Sequence, residues 1–128
     1  MAKVFLDTNI FIDLIEGRGN KILASDLDQH HVYISPLSIH ILFYVEKKRV
    51  PNPNSNATIS QFEMVDLTRT LLEERSLVGP TDDLEDNIQL QSAIEADCDY
   101  FLTHDKQLLK MGYFGKTRIL SSLAKNVI

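Results

Sequence analysis

The feature that most constrains this chain is a short apolar stretch at residues 4–6, which ends abruptly in Asp7, Thr8 and Asn9. Three apolar residues in a row are typical of a β-strand that is buried on both faces. Apolar residues then recur at helical spacing from 10 to 15, which predicts a helix that starts at once, with Thr8 or Asn9 as its cap. The sequence therefore predicts that Asp7 lies at the carboxyl end of a buried strand.

Two interpretations of Asp7 are open at this point. In open α/β sheets, ligands bind in the crevice outside the carboxyl ends of the strands, which makes Asp7 a candidate site residue. Aspartate is also a common N-cap or turn residue, and in that role Asp7 would have no chemistry of its own. Residue type alone does not separate the two interpretations.

The rest of the chain alternates short apolar runs with helical patterns. Further strands are predicted at 32–35, 77–78, 100–102 and 117–120. Helices are predicted around 22–27, at 37–45, 59–72 and 81–97, and in a short segment after 121, with a loop at 51–56. The helix at 37–45 is apolar on nearly every side, so we expect it to be buried. This alternation predicts a single α/β domain over residues 1–128, a three-layer α/β/α sandwich with a mainly parallel sheet.

Composition excludes some functional classes. The 128 residues carry a formal net charge of -5, so there is no global basic surface for duplex nucleic acid, although a local patch or a metal-mediated phosphate site is compatible with that charge. The one cysteine, Cys98, excludes an internal disulfide and fits a reducing compartment. No apolar run has the length of a signal peptide or a membrane span, so we expect a soluble, cytoplasmic protein with no membrane contact.

A cluster of carboxylates opens the helix predicted at 81–97. Steps of four, seven and eight residues from Asp86 reach apolar residues at 90, 93 and 94, which places Asp86 in line with the inward-facing stripe. Because burying an unpaired carboxylate is unfavourable, an acid at such a position indicates a functional site. We interpret Asp83 and Glu85 as a solvated helix start, and the role of Asp82 is undecided.

The stretch 100–105 repeats the opening pattern, because a short apolar strand is followed by a hydroxyl residue and then by Asp105. If the two strands are neighbours, Asp7, Asp86 and Asp105 converge. Like charges that lie this close raise one another's pKa values unless a cation compensates them. Ligation by oxygen alone points to a hard ion, Mg²⁺ or Mn²⁺, and to metal-assisted phosphodiester hydrolysis.

Together these motifs resemble the PIN domain. The resemblance rests on Asp7-Thr8-Asn9 after an apolar strand, on Asp86 at the opening of a helix, and on the stretch 99–105, and it runs the length of the chain. It implies a three-layer α/β/α fold and a Mg²⁺- or Mn²⁺-dependent ribonuclease with RNA as substrate. It also implies the toxin half of a toxin–antitoxin pair, with an antitoxin protein as partner, and a homodimer by analogy.

The resemblance also implies roles for individual residues. Asp7, Asp86 and Asp105 match the family's metal-binding acids. Asn9 and Thr103 match polar positions around these acids, from which they would orient metal ligands or substrate.

One position departs from the family pattern. In typical toxin members, the helix after the second strand carries a glutamate in a Ser/Thr-x-x-Glu-Leu context, and here Ile41 stands three residues after Ser38. Glu46 does not replace it, because five residues along a helix turn a side chain by about 140°. Two hypotheses remain: a metal-dependent ribonuclease, or a degenerate domain that keeps the fold and binds RNA or protein without cleaving.

Overall fold

The computed structural model describes residues 1–18 and 24–123, in which strands and helices alternate. The strands are β1 Lys3–Leu6, β2 His31–Ile34, β3 Glu63–Met64, β4 Tyr100–Leu102, β5 Tyr113–Phe114 and β6 Thr117–Leu120. The helices are α1 Thr8–Ile15, α2 Ala24–Leu27, α3 Pro36–Val45, α4 Pro53–Ile59, α5 Leu84–Glu95 and α6 Lys106–Met111, with a π-helical segment at Thr70–Ser76. Within these residues, no helix combines the length and the apolarity that a membrane crossing requires.

The strands form one sheet in the order β3-β2-β1-β4-β6-β5. β1 pairs in parallel with β2 on one side and with β4 on the other. β5 differs from the rest because it pairs antiparallel with β6. The mainly parallel sheet expected from the sequence is therefore confirmed, and the carboxyl ends of β1, β2 and β4 lie at the same edge.

Two apolar clusters cover the opposite faces of the sheet and complete the three layers. Val4 and Leu6 of β1 pack into the cluster that includes residues of α1 and α3. Phe5 points to the other face, where it packs into the cluster that includes residues of α5 and α6. The ring of Phe5 stacks on that of Phe101 in β4, with the ring centroids 5.6 Å apart. β1 is thus buried on both faces, as its sequence predicts.

The third strand does not lie where the sequence predicts it. Residues 77–78 form an exposed turn after the π-helical segment, and β3 lies inside the stretch 59–72, whose spacing predicts a helix. Phe62 and Val65 are three residues apart, as on one face of a helix, but they pack into clusters on opposite faces of the sheet. The apolar residues at helical spacing in 59–72 thus include a short strand and the residues beside it, and their spacing does not reflect one face of a helix.

The loop predicted at 51–56 and the complete burial expected for the helix at 37–45 were also wrong. α4 begins inside the predicted loop at 51–56, where the Asn52 side chain accepts a hydrogen bond from the Ser55 amide at 3.1 Å and caps the helix. α3 is not buried on all sides, because Tyr44 and Val45 near its end are 78% and 54% exposed. Although α3 is apolar on nearly every side, part of its apolar surface is therefore in contact with solvent.

Two further predictions reach beyond the described residues. Of the helix predicted around 22–27, the structure describes α2, and residues 22–23 lie outside the described part of the chain. After β6, residues 121–123 are not helical, and the remainder of the helix predicted there lies outside the described residues.

Candidate active site

The carboxyl ends of β1 and β4 lie side by side at one edge of the sheet. Leu6 pairs with Leu102, and the Asp7 amide donates a hydrogen bond to the Leu102 carbonyl at 2.9 Å. The residues that follow the two strands, Asp7 and Thr103, are in contact although 96 positions separate them. The two strands are thus neighbours, as a convergence of their acids requires.

Asp7 is 7% exposed, and both of its carboxylate oxygens are hydrogen-bonded. Oδ1 accepts from the Thr8 amide at 2.9 Å, and Oδ2 accepts from the Thr103 hydroxyl at 2.7 Å. Asp7 is the N-cap of α1, so the expected capping by Thr8 or Asn9 was wrong: Thr8 is the first helical residue and is buried, and Asn9 is exposed. The capping position does not exclude a site, since a residue from another strand holds the second oxygen.

A single buried hydroxyl connects the two strand ends. Thr103 is fully buried, and its Oγ1 donates to Asp7 and accepts from the Asp105 amide at 3.0 Å. Asp105 is exposed and is the N-cap of α6, where its Oδ1 accepts from the Gln107 and Leu108 amides at 2.8 and 3.0 Å. The orientation of Asp105 is therefore fixed by its own helix and its position by Thr103.

Asp86 enters the same region from the third position of α5, which begins at Leu84. Its amide donates to Asp83 Oδ1 at 2.9 Å, which makes Asp83 the N-cap. Asp86 is half-buried, and this burial, followed by repulsion from Asp83, Asp7 and Asp105, raises the pKa of its carboxyl to about 7. The three acids singled out in the sequence are thus near enough for their charges to interact.

The pKa of Asp7 is raised as well. Burial is the main cause and the charge of Asp105 adds to it, whereas hydrogen bonds from Thr103, Thr8 and Gln89 act in the opposite direction. A buried carboxylate that is held in place beside other negative charges is a group that a bound cation would stabilise.

The other acids near the start of α5 differ in their relation to the site. Burial, then repulsion from Asp7 and Asp83, raises the pKa of Glu85, and a hydrogen bond with Thr8 lowers it. Glu85 therefore borders the site, which its interpretation as part of a solvated helix start did not predict. Asp83 is an exposed cap, as expected, and Asp82 is exposed in the bend before it.

The donor chemistry suits a hard divalent cation, but the ligands are not assembled in advance. Carboxylate oxygens are the donors that Mg²⁺ and Mn²⁺ prefer, and a cation would relieve the repulsion among these acids. Within residues 1–18 and 24–123, however, no group of three or more His, Cys, Asp and Glu side chains is arranged so that it could hold a metal ion. Asp7, Asp86 and Asp105 therefore interact through their charges and not as a preformed ligand set.

A buried polar cluster adjoins Asp7, and sequence reasoning missed it. Gln89 of α5 is fully buried; its amide nitrogen donates to Thr8 Oγ1 at 2.7 Å and to Ser38 Oγ at 2.8 Å. Its amide oxygen accepts from Ser35 Oγ at 2.6 Å. The argument that singles out Asp86 applies to Gln89 too, because it is a polar residue within the inward-facing part of the same helix.

Ile41 leaves the α3 side of the site without a carboxylate at that position. It packs against the apolar cluster that contains α1 residues. Ser38, three residues earlier, brings its Oγ within 3.0 Å of Thr8 Oγ1. α3 therefore contributes a hydroxyl group to the surroundings of Asp7.

Comparison with known proteins places this geometry in a family context. A family model described as PIN domain matches residues 3–107, a range that includes Asp7, Asp86 and Asp105. Among solved structures, the chain is similar to a chain in the crystal structure of VapBC2 from Rickettsia felis bound to a DNA fragment from their promoter, with a TM-score of 0.63 and 17% identity. The match covers 92% of this chain and 97% of that chain, and at such identity it shows a shared fold. A search of curated proteins gives no match.

Removal of the Asp86 charge should stabilise the cation-free protein at alkaline pH. The pKa of Asp86 is about 7 in the folded chain, and an aspartate in an unfolded chain titrates near ~3.9. Between these values the folded state binds more protons than the unfolded state, so the free energy of unfolding falls as the pH rises through this window. Asp7 acts in the same direction.

We expect Asp86→Asn to be more stable than the wild type at about pH 8 and similar to it at about pH 4. Urea unfolding in EDTA at both pH values measures the difference. Glu74→Gln, at an exposed position of the π-helical segment, is the control and should follow the wild type. If the stabilities of Asp86→Asn and Glu74→Gln depend on pH in the same way, the assignment of the raised pKa to Asp86 is wrong.

Proposed function

This chain belongs to the PIN-domain family, and from that premise we propose that it is a metal-dependent ribonuclease that hydrolyses RNA phosphodiester bonds. The observation that carries the proposal is the electrostatic interaction of Asp7, Asp86 and Asp105 at the carboxyl edge of the sheet. Burial and mutual repulsion raise the pKa values of two of these acids, and acids perturbed in this way gather at functional sites.

Mg²⁺ or Mn²⁺ held by Asp7, Asp86 and Asp105 would supply the positive charge that stabilises the phosphate as its ester bond breaks. Hydrogen bonds hold Asp7 and Asp105 in the cation-free protein. The Thr103 hydroxyl donates to Asp7 Oδ2 and accepts from the Asp105 amide. Asn9 is exposed two residues after Asp7 and is suited to contact the substrate.

RNA binding requires positive charge near a site that is built of acids, because these acids repel a phosphate backbone. His104 and Lys106 flank Asp105 and are both exposed. We propose that they contact RNA phosphates at the rim of the site. With a net charge of -5 over the whole chain, the positive charge of Lys106 supplies a local attraction for RNA that the chain as a whole lacks.

The central test is cleavage of labelled single-stranded and structured RNA. We expect cleavage that depends on Mg²⁺ or Mn²⁺, stops in EDTA and falls to background in Asp7→Asn, because this substitution removes a buried charge that the ion needs. Asp82→Asn is the matched control, since Asp82 is exposed in the bend before α5, and it should cleave as the wild type does. If the wild type and Asp7→Asn gave the same trace cleavage, ribonuclease activity of this chain would be excluded.

A second candidate function is a degenerate domain that binds RNA or protein without cleaving. It is favoured by Ile41, which leaves one side of the site without an acid, and by the fact that the described residues contain no preassembled metal-binding group. If the protein binds RNA in the same experiments but does not cleave it at any divalent ion concentration, this second function is supported over the first.

We also propose that the protein is the toxin component of a toxin–antitoxin pair. Support comes from the family and from the similar fold of a chain in VapBC2, which was crystallised with promoter DNA. Expression of the wild type alone should stop growth of a bacterial host, and Asp7→Asn should not, because the toxicity requires the site. Growth arrest of the same depth with both proteins would contradict a toxic ribonuclease.

We further propose a homodimer. Its support is the exposed apolar end of α3, where Tyr44 and Val45 are in contact with solvent and the Tyr44 ring stacks on His40 with the centroids 6.5 Å apart. Light scattering should give twice the chain mass for the wild type and the single mass for Tyr44→Ser/Val45→Ser. Met111→Ser, at an exposed residue at the end of α6, is the control for surface polarity, and a monomeric wild type would refute the dimer.

A further inference from the structure

The side chain of Gln89 connects three separate helices at a fully buried position. Its amide group contacts Thr8 at the start of α1, Ser38 in α3 and Ser35 at the α3 N-cap, at distances of 2.6 to 2.8 Å. These partners are 81, 51 and 54 positions away in the sequence. The contact is therefore a tertiary one, and it forms only when all three helices are in place.

One of these contacts leads directly to Asp7. Gln89 donates to the Thr8 hydroxyl, and the Thr8 amide donates to Asp7 Oδ1 at 2.9 Å. Gln89 also forms a hydrogen bond with Asp7 itself, which lowers the pKa of that carboxyl. At the other end, Gln89 lies three residues after Asp86, less than one turn along the same rigid helix. Two acids from different elements are thus linked through one buried amide.

The neighbours of the Gln89 amide are hydroxyl groups, and Gln89 is not part of the apolar cluster that holds Leu90 and Ala93. The net gain from each buried hydrogen bond is only about 1 kcal/mol. Its three hydrogen bonds with these hydroxyl groups form together in only one arrangement of α1, α3 and α5, so they fix the positions of these helices relative to one another. Because two of these helices carry Asp7 and Asp86 at their starts, the same hydrogen bonds affect the relative position of the two acids.

A second buried amide in α5 provides the contrast. Asn87 hydrogen-bonds with Thr81 and with the Ser76 carbonyl, which are 6 and 11 positions away and belong to the segment leading into the helix. Asn87 therefore secures the entry to α5. Gln89 secures the helix against α1 and α3, the elements that surround Asp7.

We infer that Gln89 is a positioning residue, which sets the separation between the Asp7 and Asp86 carboxylates through its contact with Thr8. The inference rests on the proposed metal-dependent function. Gln89 itself touches neither the substrate nor the ion in this role. Its contacts with α1 and α3 keep the start of α5, and with it Asp86, near Asp7.

The test measures Mn²⁺ binding to the whole chain by electron paramagnetic resonance, with no RNA present. Gln89→Leu keeps the size of the side chain and removes its hydrogen bonds, and we expect it to weaken Mn²⁺ binding about tenfold or more, as loss of groups that orient metal ligands usually does. Thr117→Val is the matched control. It removes a buried hydrogen bond of 2.7 Å to the Cys98 carbonyl and should leave Mn²⁺ affinity unchanged.

A double mutant separates positioning from general loosening. If Gln89 acts through Thr8, Thr8→Val should weaken Mn²⁺ binding as well, and Gln89→Leu/Thr8→Val should be no weaker than the worse single variant. Additive losses would overturn the route through Thr8 and would assign the effect of Gln89 to its direct hydrogen bond with Asp7. If Gln89→Leu does not fold, as judged by circular dichroism, Thr8→Val replaces it: weakened Mn²⁺ binding supports the route through Thr8, and unchanged binding overturns it.

The outcomes distinguish this inference from the function on which it rests. Absence of Mn²⁺ binding in the wild type would overturn both the metal-dependent function and the inference. Normal binding in the wild type together with unchanged affinity in folded Gln89→Leu would overturn the inference alone. A loss of affinity in Thr117→Val equal to that in Gln89→Leu would also overturn it, because the effect would then follow from stability.

Discussion

The parallel pairing of β1 with β4 is the contact on which the rest of the structure depends. Its register sets Leu6 opposite Leu102, and the stacked rings of Phe5 and Phe101 fix the same alignment from the other face. A slip of one residue would turn every side chain of the strand to the wrong face and separate Asp7 from its partner across the strands. Packing in the core therefore determines where the buried carboxylate lies.

The same edge concentrates charge in a way that works against folding. Asp7, Asp86 and Glu85 all have raised pKa values, with burial as the first cause in each case and neighbouring acids next. At alkaline pH and in the absence of ions, a neutral side chain in place of Asp86 would give a more stable protein. This conflict between stability and charge is what distinguishes the edge from the ordinary capping positions elsewhere in the chain.

The parts that sequence predicts well are those encoded locally. The buried strand before Asp7, the helix opened by Asp86 and the three-layer fold follow from runs and periodicities a few residues long. Gln89 depends on partners more than 50 positions away, so no local pattern reveals them. β3 was missed for a related reason, since the faces on which Phe62 and Val65 pack are set by the sheet and not by their spacing.

The long sequence separation between Asp7 and Thr103 has a consequence for biosynthesis. Asp7 is synthesised well before Thr103, because the hydroxyl that holds it belongs to the segment after β4, 96 positions later. A fragment that ends before β4 contains neither Asp105 nor the strand that aligns Asp7. Chains that lack β4 are thus without the assembled site, which forms only when the second half of the sheet is added.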